Sequence, residues 1–241
     1  MDRWMAADAR DRIIVALDHP DLDSALACAR TLVGHARWVK VGMTLYYREG
    51  PGAVAAMRDL GFDVFVDLKM HDIPHQVEGA AASLGALGAG MLSVHASGGA
   101  DMMEAAVRGA AAGSAAAAVP RPAVIAITVL TSMDAEALAS VGVPDPPADQ
   151  AAGLAALART AGVDGIVCSP REAADMRALL GPAALVVTPG VRPTGADAGD
   201  QARTATPREA FAAGASHIVV GRPITAAGDP AAAFDALVDN G

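Results

Sequence analysis

Eight short apolar segments recur along the whole chain, and the stretches between them are mostly helical in pattern. The segments are RIIVALD (12–18), WVKVG (38–42), DVFVDLK (63–69), MLSVHA (91–96), AVIAITVL (123–130), GIVCS (165–169), ALVVTPG (184–190) and HIVVGR (217–222). Alternation of strand and helix indicates parallel βαβ units, and eight such units close a (β/α)8 barrel. We therefore predict an α/β fold, one TIM barrel domain over residues 1–241, with a doubly wound open sheet as the alternative.

The helical stretches are recognisable from the spacing of their apolar residues. DLDSALACARTLVG has this spacing, with Asp21 or Asp23 as a candidate N-cap and Gly34 as a stop signal. Further helices are predicted in GPGAVAAMRDLG, DMMEAAVRGAAAG, PADQAAGLAALARTAG, PREAADMRALLG and PREAFAAGA. TSMDAEALASVGVPDPP, after the fifth strand, and VRPTGADAGDQARTATP, after the seventh, are predicted to be long loops, and the second has the composition of a lid.

Composition and charge exclude several classes of protein. Hydrophobic residues make up 53% of the chain but aromatic ones only 3%, so a large core must be built from aliphatic side chains. No apolar run approaches the roughly 18 residues of a membrane helix, and the charged N-terminus lacks the apolar centre of a signal peptide. We therefore expect a cytoplasmic protein without membrane association. A net charge of −9 argues against general nucleic-acid binding.

Polar residues collect where the predicted strands end. In a TIM barrel the active site lies at the carboxyl ends of the strands and in the loops that follow them. The residues at these ends are Asp18, Lys40, Asp67, Lys69, His95, Thr131, Ser169, Thr188, Arg192 and Arg222. This distribution predicts an active site at that end of the barrel.

The stretch FVDLKMHDIPHQV, residues 65–77, carries charges inside an apolar strand. Asp67 and Lys69 share one face because side chains alternate along a strand, and Asp18 and Lys40 end the two preceding strands. With Asp72 they can form an alternating network in which a lysine stays an ammonium ion and can protonate a carbanion. Since apolar replacement of buried ion pairs is often neutral or stabilising, we favour function over a purely structural role.

Two glycine and arginine turns follow the seventh and eighth strands, in VTPGVRP and VVGRPIT. Loops at these two strands are the usual phosphate position of the fold. Gly190 and Gly221 allow backbone N–H groups to approach an anion, while Arg192 and Arg222 can bind it through paired hydrogen bonds. The two turns together predict a phosphate site.

Other polar candidates are weaker. His71 and His75 have the spacing of zinc ligands on a helix, but Pro74 stands between them and no third ligand is evident, so we interpret both as loop residues and predict no metal site. Cys28 and Cys168 lack metal-ligand spacing and are interpreted as reduced thiols in the core.

Taken in order, these motifs resemble orotidine 5'-phosphate decarboxylases. The resemblance runs from ALD (16–18) and VKVGM (39–43) through DLKMHDIP (67–74), VHASGG (94–99), TVLTS (128–132), VTPGVRP (187–193) and VVGRPIT (219–225) to DP (229–230). It implies a homodimeric barrel that converts orotidine 5'-phosphate to uridine 5'-phosphate and carbon dioxide, the last step of UMP synthesis. It also implies that no metal or organic cofactor takes part.

The resemblance also implies roles for individual residues. Lys69 would protonate C6 of the pyrimidine, Asp67 would lie beside the substrate carboxylate, and Asp72 would reach the partner subunit's site. Asp18 and Lys40 would bind the ribose and complete the charge network, so that Lys40 is also counted among the catalytic residues. The residues expected around the phosphate are Arg192, Gln201, Gly221 and Arg222. Thr131 or Ser132 would meet the substrate, and Gln76 stands where the family commonly has a Thr that binds substrate across the dimer.

Two alternatives remain open at this point. The Asp-x-Lys-x-x-Asp core is shared with 3-keto-gulonate 6-phosphate decarboxylases and hexulose-phosphate synthases, which use magnesium, although the Gln201 lid and TVLTS favour the pyrimidine enzyme. The other alternative is a barrel that binds phosphate without catalysis, in which loss of at least one of the five charges would be expected. All five charges are present.

Overall fold

The computed structural model describes Trp4 and residues 8–192 and 205–239. Eight parallel strands follow one another in sequence order and close into a barrel, with β8 paired to β1. The strands are β1 (Ile13–Ala16), β2 (Trp38–Gly42), β3 (Asp63–Met70), β4 (Met91–His95), β5 (Ala123–Ile127), β6 (Gly165–Val167), β7 (Leu185–Pro189) and β8 (His217–Val220). The predicted TIM barrel is confirmed, and the open sheet is excluded. Each of the eight predicted segments corresponds to one strand, although several strands end earlier than predicted.

Helices surround the barrel in the described part of the chain. They are α1 (Leu22–Thr31), α2 (Met43–Glu49), α3 (Pro51–Asp59), α4 (Pro74–Ala86), α5 (Ala100–Ala116), α6 (Ala135–Ser140), α7 (Pro147–Thr160), α8 (Ala173–Leu180), α9 (Pro207–Ala212), α10 (Arg222–Thr225) and α11 (Pro230–Asp239). Short 3₁₀ turns lie at Ala9–Arg12, Ala96–Gly98 and Pro170–Glu172. Within the same described residues, no helix is both long enough and apolar enough to cross a membrane.

Asp21, rather than Asp23, caps α1 by accepting the Ser24 N–H at 2.9 Å. Two helices correct the sequence analysis. The segment after the fifth strand, predicted as a loop, contains α6, whose N-cap Asp134 accepts the Ala137 N–H. His75, predicted to be a loop residue, lies in the first turn of α4, because Pro74 occupies the first helical position, where its missing N–H costs nothing.

The core has two apolar layers on opposite faces of the strands. One layer fills the barrel interior and includes Ile14, Trp38, Phe65, Met91 and Ile125. The other lies between strands and helices and is mainly Ala, Val, Leu and Met. Alternate strand residues therefore face the barrel interior wherever the strands are regular.

Small residues bring α4 and α5 into close contact. Gly109 and Gly113 on α5 lie against the backbone of Glu78 and Ala82 on α4, and a β-carbon at either glycine would overlap that backbone. This close packing holds α4 and α5 together on the outside of the barrel.

Candidate active site

The inward-facing positions change from apolar to polar along three neighbouring strands. On β2 the interior residue after Trp38 is Lys40, on β3 the residue after Phe65 is Asp67, and on β4 the residue after Met91 is Ser93. Trp38, Phe65 and Met91 form the floor beneath the polar layer. The predicted charges therefore lie together at the carboxyl end of the barrel.

Four of the five predicted charges form one alternating chain of ion pairs. Lys40 Nζ lies 2.8 Å from Asp18 Oδ1 and 3.7 Å from Asp67 Oδ2. Lys69 Nζ lies 2.7 Å from the same Asp67 oxygen. The Asp67 and Lys40 side chains are each only 10% exposed, whereas the Asp18 side chain is 57% exposed and faces the opening. The predicted network is confirmed for these four residues.

Asp67 is the centre of this network. Burial alone would raise the pKa of its carboxyl group, but Lys40 and Lys69, with hydrogen bonds from Lys69 and Ser93, outweigh burial and lower the pKa. The carboxylate is therefore ionised at neutral pH, and its buried charge is balanced by the two neighbouring ammonium groups.

The backbone of β3 is irregular where it carries these charges. The span from Val66 to Met70 on β3 is matched by the shorter span from Leu92 to Val94 on β4, which is a β-bulge. Within the bulge Lys69 has a φ of 53°, in the left-handed region, which costs a residue with a β-carbon about 1–2 kcal/mol. The bulge directs the Lys69 ammonium group back towards Asp67 despite this cost.

Gly42 leaves room for the network. It is the last residue of β2 and pairs with Asp67 on β3. A β-carbon here would lie 2.8 Å from both Asp18 Oδ1 and Lys40 Nζ. Any larger residue would thus displace the Asp18–Lys40 pair.

A cavity of about 190 Å³ opens directly above the ion pairs. Its wall consists of Lys40, Phe65, Asp67, Lys69, Ile127, Val129, Leu130, Thr131, Val167, Pro189 and Val219. Thr131 lines this cavity, whereas its neighbour Ser132 is exposed and is not part of the wall. Charged groups thus occupy one side of the cavity, and the remaining wall is almost entirely apolar.

The residues predicted to bind phosphate lie near the β7 and β8 side of this cavity. Pro189 and Val219 form its wall, and Gly190 and Gly221 follow closely on the two strands. Arg192 is held at the end of β7 by its N–H, which donates to the Ala205 carbonyl at 2.9 Å, and Arg222 is the first residue of α10. Gln201 and most of the predicted lid lie outside the described residues.

Residues 71–73, which connect β3 to α4, and residues 74–76, in the first turn of α4, are all exposed. Asp72 accepts the Ile73 N–H at 2.6 Å and forms no ion pair with a described residue. Gln76 is exposed in the first turn of α4, so in the single chain neither residue joins the network. His71 stacks obliquely on His95 with ring centroids 5.5 Å apart, and burial, with His71 and Lys69 nearby, lowers the pKa of His95.

Sequence reasoning missed two residues of this site, Gly42 and Ser93. Ser93 is 1% exposed and bonds directly to Asp67, and strand alternation two residues before His95 could have placed it inside the barrel. Within Trp4 and residues 8–192 and 205–239, no group of three or more His, Cys, Asp or Glu side chains is arranged to hold a metal ion.

Comparison with known proteins agrees with the geometry. The model of the orotidine 5'-phosphate decarboxylase / HUMPS family matches residues 11–237. Orotidine 5'-phosphate decarboxylase of Anaeromyxobacter sp. (strain K) is 54% identical over 94% of this chain and 96% of its own length. The enzyme of the same name from Moorella thermoacetica is 50% identical over 95% and 91%, respectively.

Solved structures give the same result. The crystal structure of orotidine 5'-phosphate decarboxylase from Lactobacillus acidophilus matches with a TM-score of 0.84 and 37% identity, covering 95% of this chain and 98% of that one. An uncharacterized conserved protein from Geobacillus kaustophilus matches with a TM-score of 0.82 and 41% identity, covering 93% and 97%. With its closed barrel and its Asp-Lys-Asp-Lys network, the chain belongs to the orotidine 5'-phosphate decarboxylase / HUMPS family.

Proposed function

We propose that this protein decarboxylates orotidine 5'-phosphate to uridine 5'-phosphate in the cytoplasm, with Lys69 protonating C6 of the pyrimidine. The observation that carries the proposal is the Lys69 ammonium group, held 2.7 Å from Asp67 on the charged side of a cavity whose remaining wall is almost entirely apolar. Loss of carbon dioxide leaves a carbanion at C6 with no conjugated electron sink. A fixed ammonium group at that position stabilises the developing charge and then supplies the proton.

Asp67 has a second effect in this proposal. Its carboxylate stays ionised because Lys40 and Lys69 lower its pKa against the effect of burial. A substrate carboxylate placed beside it is repelled, and this repulsion is relieved when carbon dioxide leaves. Asp67 also orients Lys69, so that the proton donor is in place before the reaction begins.

The ribose and phosphate of the substrate would bind around this centre. Asp18, which follows β1, and Lys40 on β2 form an ion pair at 2.8 Å and would bind the ribose hydroxyl groups. Thr131 lies in the cavity wall and is the better candidate than Ser132 for contact with the substrate. The phosphate would bind at the ends of β7 and β8, through Gly221, Arg192, Arg222 and Gln201, and its binding energy would help to organise the site.

We further propose that the protein is a homodimer and that Asp72 completes the site of the partner subunit. The exposed face beside the site carries large apolar side chains, with Tyr47 72%, Ile73 63%, Met43 43% and Leu130 38% exposed. A hollow of about 760 Å³, lined in part by Met43, Tyr47 and Leu130, extends from this face to Lys69. A second copy would cover this apolar surface, and the exposed segment with Asp72 and Gln76 could then reach across.

The primary test is an absorbance assay with orotidine 5'-phosphate in the presence of EDTA. We expect turnover without added metal. Turnover that EDTA abolishes would favour a magnesium-dependent sugar-phosphate enzyme instead, and the absence of orotidylate turnover with and without metal would refute the proposal.

The role of Lys69 is tested by two matched variants. Lys69→Ala removes the ammonium group, whereas Lys69→Arg keeps a positive charge near Asp67 but replaces the amine by a guanidinium that does not release its proton at neutral pH. We expect both proteins to fold and to bind uridine 5'-phosphate, and both to lose nearly all turnover. Substantial activity in Lys69→Arg would contradict the proton-donor role.

The contribution of Asp72 is tested by subunit mixing. Asp72→Ala and Lys69→Ala should each be inactive alone, but a mixed dimer has one site with both wild-type groups. Activity should therefore recover after the subunits exchange. Absence of recovery when exchange is demonstrated by differently tagged subunits would show that Asp72 does not act across the interface.

A further inference from the structure

The β-bulge in β3 raises the question of what holds Lys69 in its left-handed backbone conformation. Its φ is 53°, and the register between β3 and β4 is broken from Val66 to Met70. A lysine in a regular strand would bond its N–H to a carbonyl of the neighbouring strand. In the bulge this N–H donates instead to a side chain, the hydroxyl of Ser93, at 2.9 Å.

Ser93 is a buried residue of β4 that bonds to both charged residues of the bulge. Its hydroxyl accepts the Lys69 N–H and donates to Asp67 Oδ1 at 2.7 Å. The residue is 1% exposed, so solvent cannot replace either bond. A hydroxyl group has one hydrogen to donate and two lone pairs, and Ser93 uses its hydrogen on the carboxylate and one lone pair on the backbone.

This arrangement divides the two oxygens of Asp67 between different partners. Oδ1 is bound by Ser93, which turns Oδ2 towards Lys69 Nζ at 2.7 Å and Lys40 Nζ at 3.7 Å. The same hydroxyl group therefore fixes the rotation of the Asp67 carboxylate and the backbone from which the Lys69 side chain extends.

We propose that Ser93 is a positioning residue for the reaction. Its two hydrogen bonds hold the β3 bulge in the conformation that places the Lys69 ammonium group beside the Asp67 carboxylate. Ser93 does not line the cavity, so it acts through Lys69 and Asp67 and not on the substrate. The inference rests on the proposed function for its kinetic consequences. The structural part of the proposal, that the Ser93 hydroxyl group fixes the backbone N–H of Lys69, does not depend on that function.

The test compares Ser93→Ala with a matched control, Ser216→Ala. Ser216 is also buried, and its hydroxyl bonds to the Val186 N–H at 2.8 Å and to the Val186 carbonyl at 3.0 Å. It lies between β8 and β7 at the opposite end of the barrel. Each variant thus loses a buried hydroxyl group that bonds to an adjacent strand, but only one of these hydroxyl groups bonds to site residues.

For Ser93→Ala we expect kcat to fall on the order of 100-fold, as for a small misplacement of a catalytic group, with little change in KM. When kcat is measured against pH, its acid limb should move to higher pH. The reason is that loss of a hydrogen bond to the ionised carboxylate raises the pKa of Asp67. Ser216→Ala should keep kcat and the position of this limb. Ser93→Thr, which retains the hydroxyl, should recover most of the loss.

Hydrogen exchange at Lys69 and a second substitution of Ser93 test the positioning role independently of the Ser93→Ala kinetics. Amide hydrogen exchange at Lys69 should be faster in Ser93→Ala than in the wild type, and this readout requires no substrate. If Ser93→Ala does not fold, Ser93→Cys keeps the size of the side chain with a weak hydrogen-bonding group and should show the same kinetic loss. Unchanged kcat and acid limb, or unchanged exchange at Lys69, would overturn the positioning role; an inactive wild type would overturn only the proposed function.

Discussion

Replacing Lys69 by glycine and by alanine separates the backbone strain at the site from its chemistry. Both variants lose the same ammonium group, and both leave Asp67 bonded to Ser93 and near Lys40. They differ only in the β-carbon at a position whose φ is 53°. Glycine adopts this conformation without strain, whereas alanine keeps the strain of the wild-type residue.

The size of the difference follows from two opposing effects. The left-handed conformation costs alanine about 1–2 kcal/mol, and glycine in a strand interior normally costs about 0.5–1 kcal/mol through its larger loss of entropy. We therefore expect Lys69→Gly to be more stable than Lys69→Ala by about 0.5–1 kcal/mol. For a chain of this length, each kcal/mol of stability raises Tm by about 2–4 °C, so the Tm of Lys69→Gly should be higher than that of Lys69→Ala. A regular strand would give the opposite sign.

The assay is urea and thermal unfolding at a single protein concentration, because unfolding of an oligomer depends on concentration. Ala118 provides the control, since it has a φ of 52° in the exposed turn after α5, remote from the ion pairs. Ala118→Gly should be stabilised by a similar amount and should remain fully active. If Ala118→Gly is stabilised while Lys69→Gly is no more stable than Lys69→Ala, then the bulge is not strained and the reasoning fails.

Three further predictions concern close packing and pH. Gly42→Ala places a β-carbon 2.8 Å from Asp18 Oδ1 and Lys40 Nζ, so we expect weaker substrate binding with little change in unfolding, and an unchanged KM would contradict this steric role. Gly113→Val should destabilise the fold by about 1–3 kcal/mol through overpacking against α4, measured by urea unfolding, and an unchanged midpoint would exclude tight packing. Burial, with nearby Arg side chains, lowers the pKa of His217 to about 3. The unfolded imidazole takes up a proton below about pH 6.5, whereas the folded one does so only near pH 3. The free energy of unfolding should therefore fall as pH is lowered between these two values, by on the order of 5 kcal/mol. In His217→Phe the free energy of unfolding, measured by urea unfolding across pH, should decrease less steeply on acidification. An equally steep decrease would show that another group causes it.

The strands could be predicted from sequence because each is a short apolar run between helical patterns, which is the signature of a parallel sheet buried on both faces. Their carboxyl ends were less accurate. The first strand was predicted to residue 18 but ends at Ala16, and the fifth was predicted to residue 130 but ends at Ile127. Polar residues at these positions belong to the loops that form the site, so composition alone does not mark where strand pairing ends.

The charged network could be predicted because alternation and barrel closure together place Asp18, Lys40, Asp67 and Lys69 at one mouth. The bulge could not be predicted, because it depends on the register between β3 and β4 and not on either strand alone. The importance of Gly42 depends in the same way on its pairing with Asp67. In the proposed dimer, the positions of Asp72 and Gln76 relative to the substrate depend on the second copy, and the sequence of a single chain does not determine how two copies pack.

The use of lysine in place of arginine in this network indicates a requirement beyond ion pairing. Lys40 and Lys69 are the only two lysines among the chain's 18 lysine and arginine residues. Arginine would pair with Asp67 at least as well, since its planar guanidinium binds a carboxylate through two hydrogen bonds. If ion pairing were the sole requirement, a chain that otherwise uses arginine would have no reason to place both its lysines here. A compact ammonium group differs in that it can release a proton and fits beside Gly42, where a β-carbon is already too large. The use of lysine at both positions therefore supports the proposed proton transfer from Lys69 and agrees with the limited space around Lys40.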